Sequence, residues 1–282
     1  MNTVKTILLL GLLSALMIAL GNLMGGRDGM IFAAAFALFT NIGSYWFSAP
    51  MALAMSNARP ISIEEAPELY AIVARLAEHA KIPMPTIHFI NDPSPNAFAT
   101  GRDPKHAAVA VTSGILQILD ERELEAVLAH ELGHVRNSDI LITTIAATLA
   151  GIVTTVAHWG LYPRSYDQSE GRQSANPIFL LLLSILAPIA AAAIQMGISR
   201  SREYEADASG AHLCGDPLAL ASALAKVSDV SLRRPFYSAN PALSSLYIVK
   251  PYSSLITSLF STHPPIEERI ARLRKMAQDP SA

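Results

Sequence analysis

Four long stretches of this chain carry no charge, and that absence constrains the fold more than any motif does. Thr6–Gly26, Gly29–Ala58, Ile140–Pro163 and Gln173–Ser199 run for 21, 30, 24 and 27 residues without Asp, Glu, Lys or Arg. A bilayer core about 30 Å thick needs about 20 apolar helical residues, so each stretch is long enough to cross one. Thr6–Gly26 follows Lys5 and could pass for a signal peptide, with Ala19-Leu20-Gly21 as a weak cleavage site. A second apolar stretch follows at once across Arg27-Asp28, so the first reads as a span. Gly29–Ala58 is longer than required, which places its span at Met30–Met51, with Asn41, Gly43 and Ser44 as helix–helix contacts.

The other 180 of the 282 residues hold all 44 charges, about a quarter, the usual fraction for a water-facing domain. The chain therefore divides into spans one and two (1–58), a first soluble half (59–139), spans three and four (140–199) and a second soluble half (200–282). Four spans put both halves and both termini on one side. That side carries 18 of the 21 Lys and Arg residues, which makes it cytosolic by the positive-inside bias. A net charge of −2 supplies no basic patch for phosphate neutralisation, so nucleic acid is not expected as a partner. Cys214, the single cysteine, reads as a small buried hydrophobe.

Within the soluble halves, Ile63–Ala80 has a helical apolar period at Leu69, Ile72, Val73 and Leu76. Thr86–Ile90, Ala97–Thr100 and Ala107–Val111 are short β-prone runs, the last two joined by a Gly101–Lys105 turn, so a sheet of two or three strands is expected. Asp120 and Glu123 form a capping-box pattern that opens a helix through Leu132, and no breaker is read between it and span three. Arg200–Cys214, Leu218–Ser228 after Asp216-Pro217, and Ile266–Met276 after Pro264-Pro265 read as further helices, with Ser231–Thr262 as loop.

The chemistry is carried by His130-Glu131-Leu132-Gly133-His134 inside the capped helix. At about 100° per residue, positions four apart share a face, so both imidazoles can reach one ion while Glu131 projects beside it as a base. Gly133 costs such a helix about 1 kcal/mol relative to Ala and calls for a close approach by another element. Catalytic zinc takes three protein ligands and keeps one position open. Glu203 is the candidate third, because its helix leaves span four as the histidine helix enters span three; Asp207, one turn on, can support a ligand histidine. Periodicity alone leaves open an exposed acidic helix face for both residues, and Glu205 lies about 200° from Glu203.

These segments, with Asn96–Gly101 and Thr262-His263-Pro264-Pro265-Ile266-Glu267-Glu268-Arg269-Ile270 and four spans, resemble the HtpX-type integral-membrane zinc proteases over essentially the whole chain. The resemblance extends to the CAAX prenyl proteases. It implies a four-helix membrane part bearing a mainly helical α+β, zincin-like cytosolic domain with a small β-sheet, in a bacterial inner membrane. It also implies one Zn2+ on His130, His134 and Glu203, Glu131 as catalytic base, and cleavage of misfolded or damaged membrane proteins in stress-linked quality control. By the same resemblance Asn96, Ala97, Phe98 and Ala99 lie beside the cleft and pair with an extended substrate backbone. His263, held before two prolines, could donate to the oxyanion or bond a backbone carbonyl, and Arg269 is the weaker oxyanion candidate.

Three rivals remain at this stage. The spans lack the Asp, Glu, Lys or Arg that an ion pathway needs, which disfavours a transporter or channel. A zinc-stabilised scaffold has no use for Glu131. A CAAX prenyl-protein endopeptidase differs in requiring a lipidated substrate.

Overall fold

The computed structural model describes residues 2–145, 200–233, 248 and 264–278. The expected spans three and four lie outside these residues, apart from a helical stretch at 140–145.

Helix α1 (Asn2–Met55) is two helices folded back on each other at Gly25-Gly26, where Gly26 has φ 57°. The arms touch through Asn41, whose Nδ2 donates to Ser14 Oγ at 2.8 Å, so this polar residue inside the second apolar stretch serves helix packing. Among the described residues no single helix is long and apolar enough to cross a membrane. Gly25–Gly43 and Tyr45–Met55 meet that test only together, with a 63° bend between them that falls inside the tilted span expected over Met30–Met51. The bend falls at Gly43-Ser44, the kind of small-residue pair at which helices kink.

The soluble part is a four-stranded mixed sheet with helices packed on one face. Strands β1 (Arg59–Pro60), β2 (Thr86–Ile90), β3 (Ala97–Gly101) and β4 (Ala107–Thr112) lie in the order β1-β2-β4-β3. β2 runs parallel to β4, while β3 is antiparallel to β4 and forms the outer edge. The two-residue β1, unexpected from its sequence, pairs antiparallel with β2. Helix α2 (Pro67–Ala80) starts four residues later than its periodicity suggests. Pro67 occupies its first turn, and residues 62–65 form a turn closed by Ser62 N–H on Glu65 Oε2.

Short α3 (Ser113–Ile118) precedes α4 (Glu121–Arg136), whose capping box forms in full: Asp120 accepts from Glu123 N–H and Glu123 from Asp120 N–H. Helix α5 (Arg200–Cys214) crosses α4, and α6 (Pro217–Arg233) and α7 (Ile266–Gln278) pack outside it. The α4 helix does not run on into the apolar stretch. It stops at Arg136, turns through Asn137 and Ser138 (φ 57°), and a new helical stretch begins at residue 140.

Alternation along the strands sorts the core. Ile87, Ala97, Ala99, Val109 and Val111 face α2 and α4, where Leu76, Val127, Leu128 and Leu132 are fully buried. Ile90, Phe98 and Ala110 face the other way, onto Ala52 near the end of α1. Each buried leucine of the first set would cost about 2–5 kcal/mol on truncation to Ala. The sheet edge and α4 are thereby held in fixed register.

Candidate metal centre

The close crossing of α4 and α5 builds the site. A Cβ on Gly210 would lie 2.7 Å from His130 N, so glycine is needed there, while one on Gly133 would lie 3.3 Å from Ala206 O, a close approach that small shifts could relieve. Gly133 thus has the close-approach reason its position called for, and its partner Gly210 went unread.

At this crossing His130 and His134 project from one face of α4, their rings 4.8 Å apart and nearly perpendicular. Glu203 of α5 stands between them, with Oε2 3.8 Å from His130 Nε2 and Oε1 3.7 Å from His134 Nε2. One ligand atom from each residue lies within 4.8 Å of the others. Tetrahedral zinc with ligands near 2.1 Å sets ligand atoms about 3.4 Å apart, so the two histidine–Glu203 distances are within a few tenths of an ångström of that spacing and the set as a whole, inside 4.8 Å, would tighten on an ion.

Carboxylates back both imidazoles. His134 Nδ1 lies 3.2 Å from both oxygens of Asp139. His130 Nδ1 lies 3.0 Å from Asp207 Oδ1, though without the alignment of a formed hydrogen bond. With Nδ1 turned to a carboxylate, each ring presents Nε2 to the ligand position. Asp207 is gripped by Arg269, which donates from Nε at 2.8 Å and Nη2 at 2.7 Å; Arg269 Nη1 also reaches Ile248 O at 3.4 Å and lies 3.5 Å from Glu203 Oε2. Arg269, 1% exposed, is therefore a brace for Asp207 rather than a free donor on the open side of the site.

The charge balance suits a dication. Four buried carboxylates, Glu131, Asp139, Glu203 and Asp207, are accompanied by two buried guanidiniums, Arg202 and Arg269. With neutral histidines that leaves two negative charges, costly to bury unless a cation joins them. The protonation tendencies agree. Burial works against charge on His134, but Asp139, Glu203 and Glu131 outweigh it and push its pKa up to about 10. Burial raises the Glu131 carboxyl above its ordinary range, against the pull of both histidines. Burial opposes the charge on Asp207 as well, yet Arg269 holds that carboxyl below the usual range.

Glu131 also meets the sheet edge, its Oε2 accepting the Ala99 N–H at 2.9 Å. Because backbone groups alternate along an antiparallel strand, Ala97 and Ala99 turn theirs to the edge that has no partner strand among the described residues, while those of Phe98 face β4; all five residues of β3 are buried. The Phe98 side chain is packed against α1, so of the four residues expected along the cleft it offers no group to a partner strand. Asn96 is 2% exposed; its Oδ1 accepts Ile248 N–H at 3.2 Å and its Nδ2 has no hydrogen-bond partner. His263 lies outside the described residues.

Asp139 is the functional residue that sequence reasoning missed, and a signal for it exists. Asn137-Ser138-Asp139 is a polar run of helix-stopping and N-capping residues immediately before an apolar stretch. Elsewhere, His79 Nδ1 reaches Leu213 O at 3.4 Å, His106 pairs with Asp103 at 2.8 Å, and half-buried Cys214 rests on Ala211 O.

Residues 64–277 match the family model described as Peptidase family M48. The chain is 51% identical over 280 residues to "Protease HtpX homolog" of Ralstonia pickettii (strain 12J), covering 98% of this chain and 97% of that protein. It is also 51% identical over 280 residues to the Pyrococcus furiosus protein of the same description, covering 96% of it. Among solved structures, "Crystal Structure of S. mikatae Ste24p" superposes with a TM-score of 0.52 at 19% identity over 96% of this chain. The chain spans 65% of that protein, and the likeness bears on fold.

Proposed function

The chain belongs to peptidase family M48 and is a membrane metallopeptidase, and we propose that it hydrolyses internal peptide bonds with one Zn2+ held by His130, His134 and Glu203. The observation that carries this reading is the approach of those three ligand groups to within 4.8 Å beside a second carboxylate, Glu131, which is left out of the ligand set. When bound, the ion would polarise the scissile carbonyl and lower the pKa of water toward about 7.

The chain's own residues supply the rest. Glu131 accepts the proton of the attacking water and returns it to the leaving amine. Its contact with Ala99 N–H holds the carboxylate against β3. Ala97 N–H and C=O and the Ala99 C=O are the backbone groups left for an extended substrate, which would be read through its main chain rather than its side chains, with broad specificity. Asp139 and Asp207 fix the two imidazoles, and Arg269 fixes Asp207. His263 is proposed as the oxyanion donor, since the Arg269 fork is engaged elsewhere.

The finer placement is also part of the proposal. The excess of Lys and Arg on the protease halves supports a cytosolic domain carried on a multi-pass inner-membrane anchor. Misfolded or damaged membrane proteins are then the substrates within reach. No observation favours the prenyl-protein or scaffold alternatives.

The direct test is metal dependence. Protein stripped with a chelator should neither cut an unfolded, unprenylated substrate nor contain metal, and one equivalent of Zn2+ should restore both activity and metal content. Full activity in verified metal-free protein would overturn the proposal.

A further inference from the structure

Tyr45–Met55 belongs neither to a straight span nor to the protease core. It leaves Gly25–Gly43 at 63°, and its two sides differ. Ser48 and Ala52 are buried, and Ala52, Leu53 and Met55 pack on Ile90, Phe98 and Ala110, the sheet face opposite α4. The other side exposes Trp46, Phe47 and Met51 at 51%, 63% and 38%, and Tyr45 is 39% exposed at the start of the segment. So large an apolar face marks a partner. It is continuous with exposed Phe32, Phe36, Phe39 and Ile42 on the preceding arm, which makes that partner lipid rather than a second protein.

The dimensions agree. With the arm along the bilayer normal, Gly29–Gly43 rises about 22 Å. Tyr45–Met55, inclined at 63°, adds only about 7 Å of depth, which brings the total close to a core of about 30 Å. Tyr45 and Trp46, in edge contact at 5.4 Å, then lie at the deeper start of the inclined helix, about 6 Å inside the near boundary and within the depth to which an interfacial helix sinks its apolar face.

A second contact joins this segment to the catalytic sheet. Arg102, in the turn between β3 and β4, holds its guanidinium 4.5 Å from the Trp46 ring centre and 3.5 Å from Asp103. Lys105 and His106 are exposed beside it.

We propose that Tyr45–Met55 is an interfacial half-helix on which the β-sheet is seated. Its aromatic side enters the boundary between acyl chains and headgroups, its opposite side carries Ile90, Phe98 and Ala110, and Arg102 clamps the β3–β4 turn to Trp46. Strand β3, whose Ala99 holds Glu131, is thereby fixed at the bilayer surface, where an extended segment leaving the membrane meets it first. That last consequence rests on β3 being the substrate edge; the seating itself does not.

The test uses the full chain in lipid vesicles with Trp159→Phe, so that Trp46 is the single tryptophan. Quenching of Trp46 should be about twofold stronger with lipid brominated near the headgroup than with lipid brominated at the chain end. Stronger quenching from the chain end would restore a straight span, and quenching by neither lipid would assign the face to protein; either overturns the seating. Arg102→Ala should lower cleavage of a bilayer-tethered substrate several-fold while a soluble unfolded substrate is cut as before. Equal loss on both, or loss on neither, overturns the clamp. A shallow Trp46 in a chain that cuts nothing would sink the protease reading and leave the seating intact.

Discussion

The closest contact in the site is between two backbones, and it makes a quantitative prediction about two glycines. An alanine at 210 would put its Cβ 2.7 Å from His130 N and 2.8 Å from His130 Cα, atoms of a helix that cannot turn aside. Restoring an ordinary carbon contact of about 3.4–3.5 Å requires α5 to withdraw by about 0.7 Å. Overpacking of that kind costs about 1–3 kcal/mol, offset by about 1 kcal/mol of helix propensity gained from Gly to Ala. The net loss of stability is therefore small, about 0–2 kcal/mol, and the site suffers more. Glu203 lies two turns from Gly210 on the same face of α5, so it retreats from both histidines, already 3.7 and 3.8 Å away. Misplacement on the scale of 1 Å costs about 100-fold in rate. Gly133→Ala is the control: its Cβ would meet Ala206 O at 3.3 Å and the Ser209 Cβ at 3.4 Å, contacts that relax within a few tenths of an ångström. Thermal melts, zinc competition and peptide cleavage on both variants make the comparison. Gly133→Ala should match the wild type within a few-fold, whereas Gly210→Ala should stay folded, bind zinc more weakly and lose about 100-fold in activity. Equal zinc affinity and activity in the two variants would refute the crossing as the reason Glu203 reaches the histidines.

Two further perturbations probe the supports of α4. Asp139→Asn removes the carboxylate behind His134 and should weaken zinc about 10–100-fold in a chelator competition, and it should also lower the melting temperature of the metal-free chain, in which Asp139 pairs with a charged His134. Glu123 ties α4 to α6 through Lys226 Nζ and Ser222 Oγ, both at 2.7 Å. Burial opposes its charge, but Lys226, Ser222 and the Asp120 N–H hold the carboxyl below its ordinary value. A depressed carboxyl stabilises the fold above the unfolded pKa of about 4.3 and loses that contribution as pH falls through the folded value. Glu123→Gln should therefore melt below the wild type at pH 7, with the gap narrowing as pH falls below about 4.3; a gap that does not narrow in acid contradicts the pairing.

Particular residues show how far the sequence could be read. Asp120 and Glu123 announce the start of α4 because a capping box is local chemistry, settled within four residues. His130 and His134 share a face by helical period alone, whereas the ligand role of Glu203 comes from the family resemblance, because periodicity leaves an exposed acidic face open for it and for Asp207. What escaped depends on contacts between distant segments. The break at Asn137–Asp139 has a local signal in its helix-stopping residues, but the return of Asp139 onto His134 is visible only in the folded chain. Gly210 looks like any small helical residue until α4 crosses it. Arg269, weighed for the oxyanion, is turned by α7 packing onto Asp207, a partner 62 residues away. The 63° bend follows from the docking of Ala52 and Leu53 under the sheet, since Gly43-Ser44 permits a kink without requiring one.

The central claim is that Glu131 does chemistry and does not hold metal. Wild type and Glu131→Gln, purified in detergent and loaded with matched zinc, should be compared on an unfolded, unprenylated protein substrate. The account predicts one bound zinc in each, cleavage by the wild type, and a fall of several orders of magnitude in the variant. A variant that cuts like the wild type, or that loses its zinc along with its activity, contradicts it.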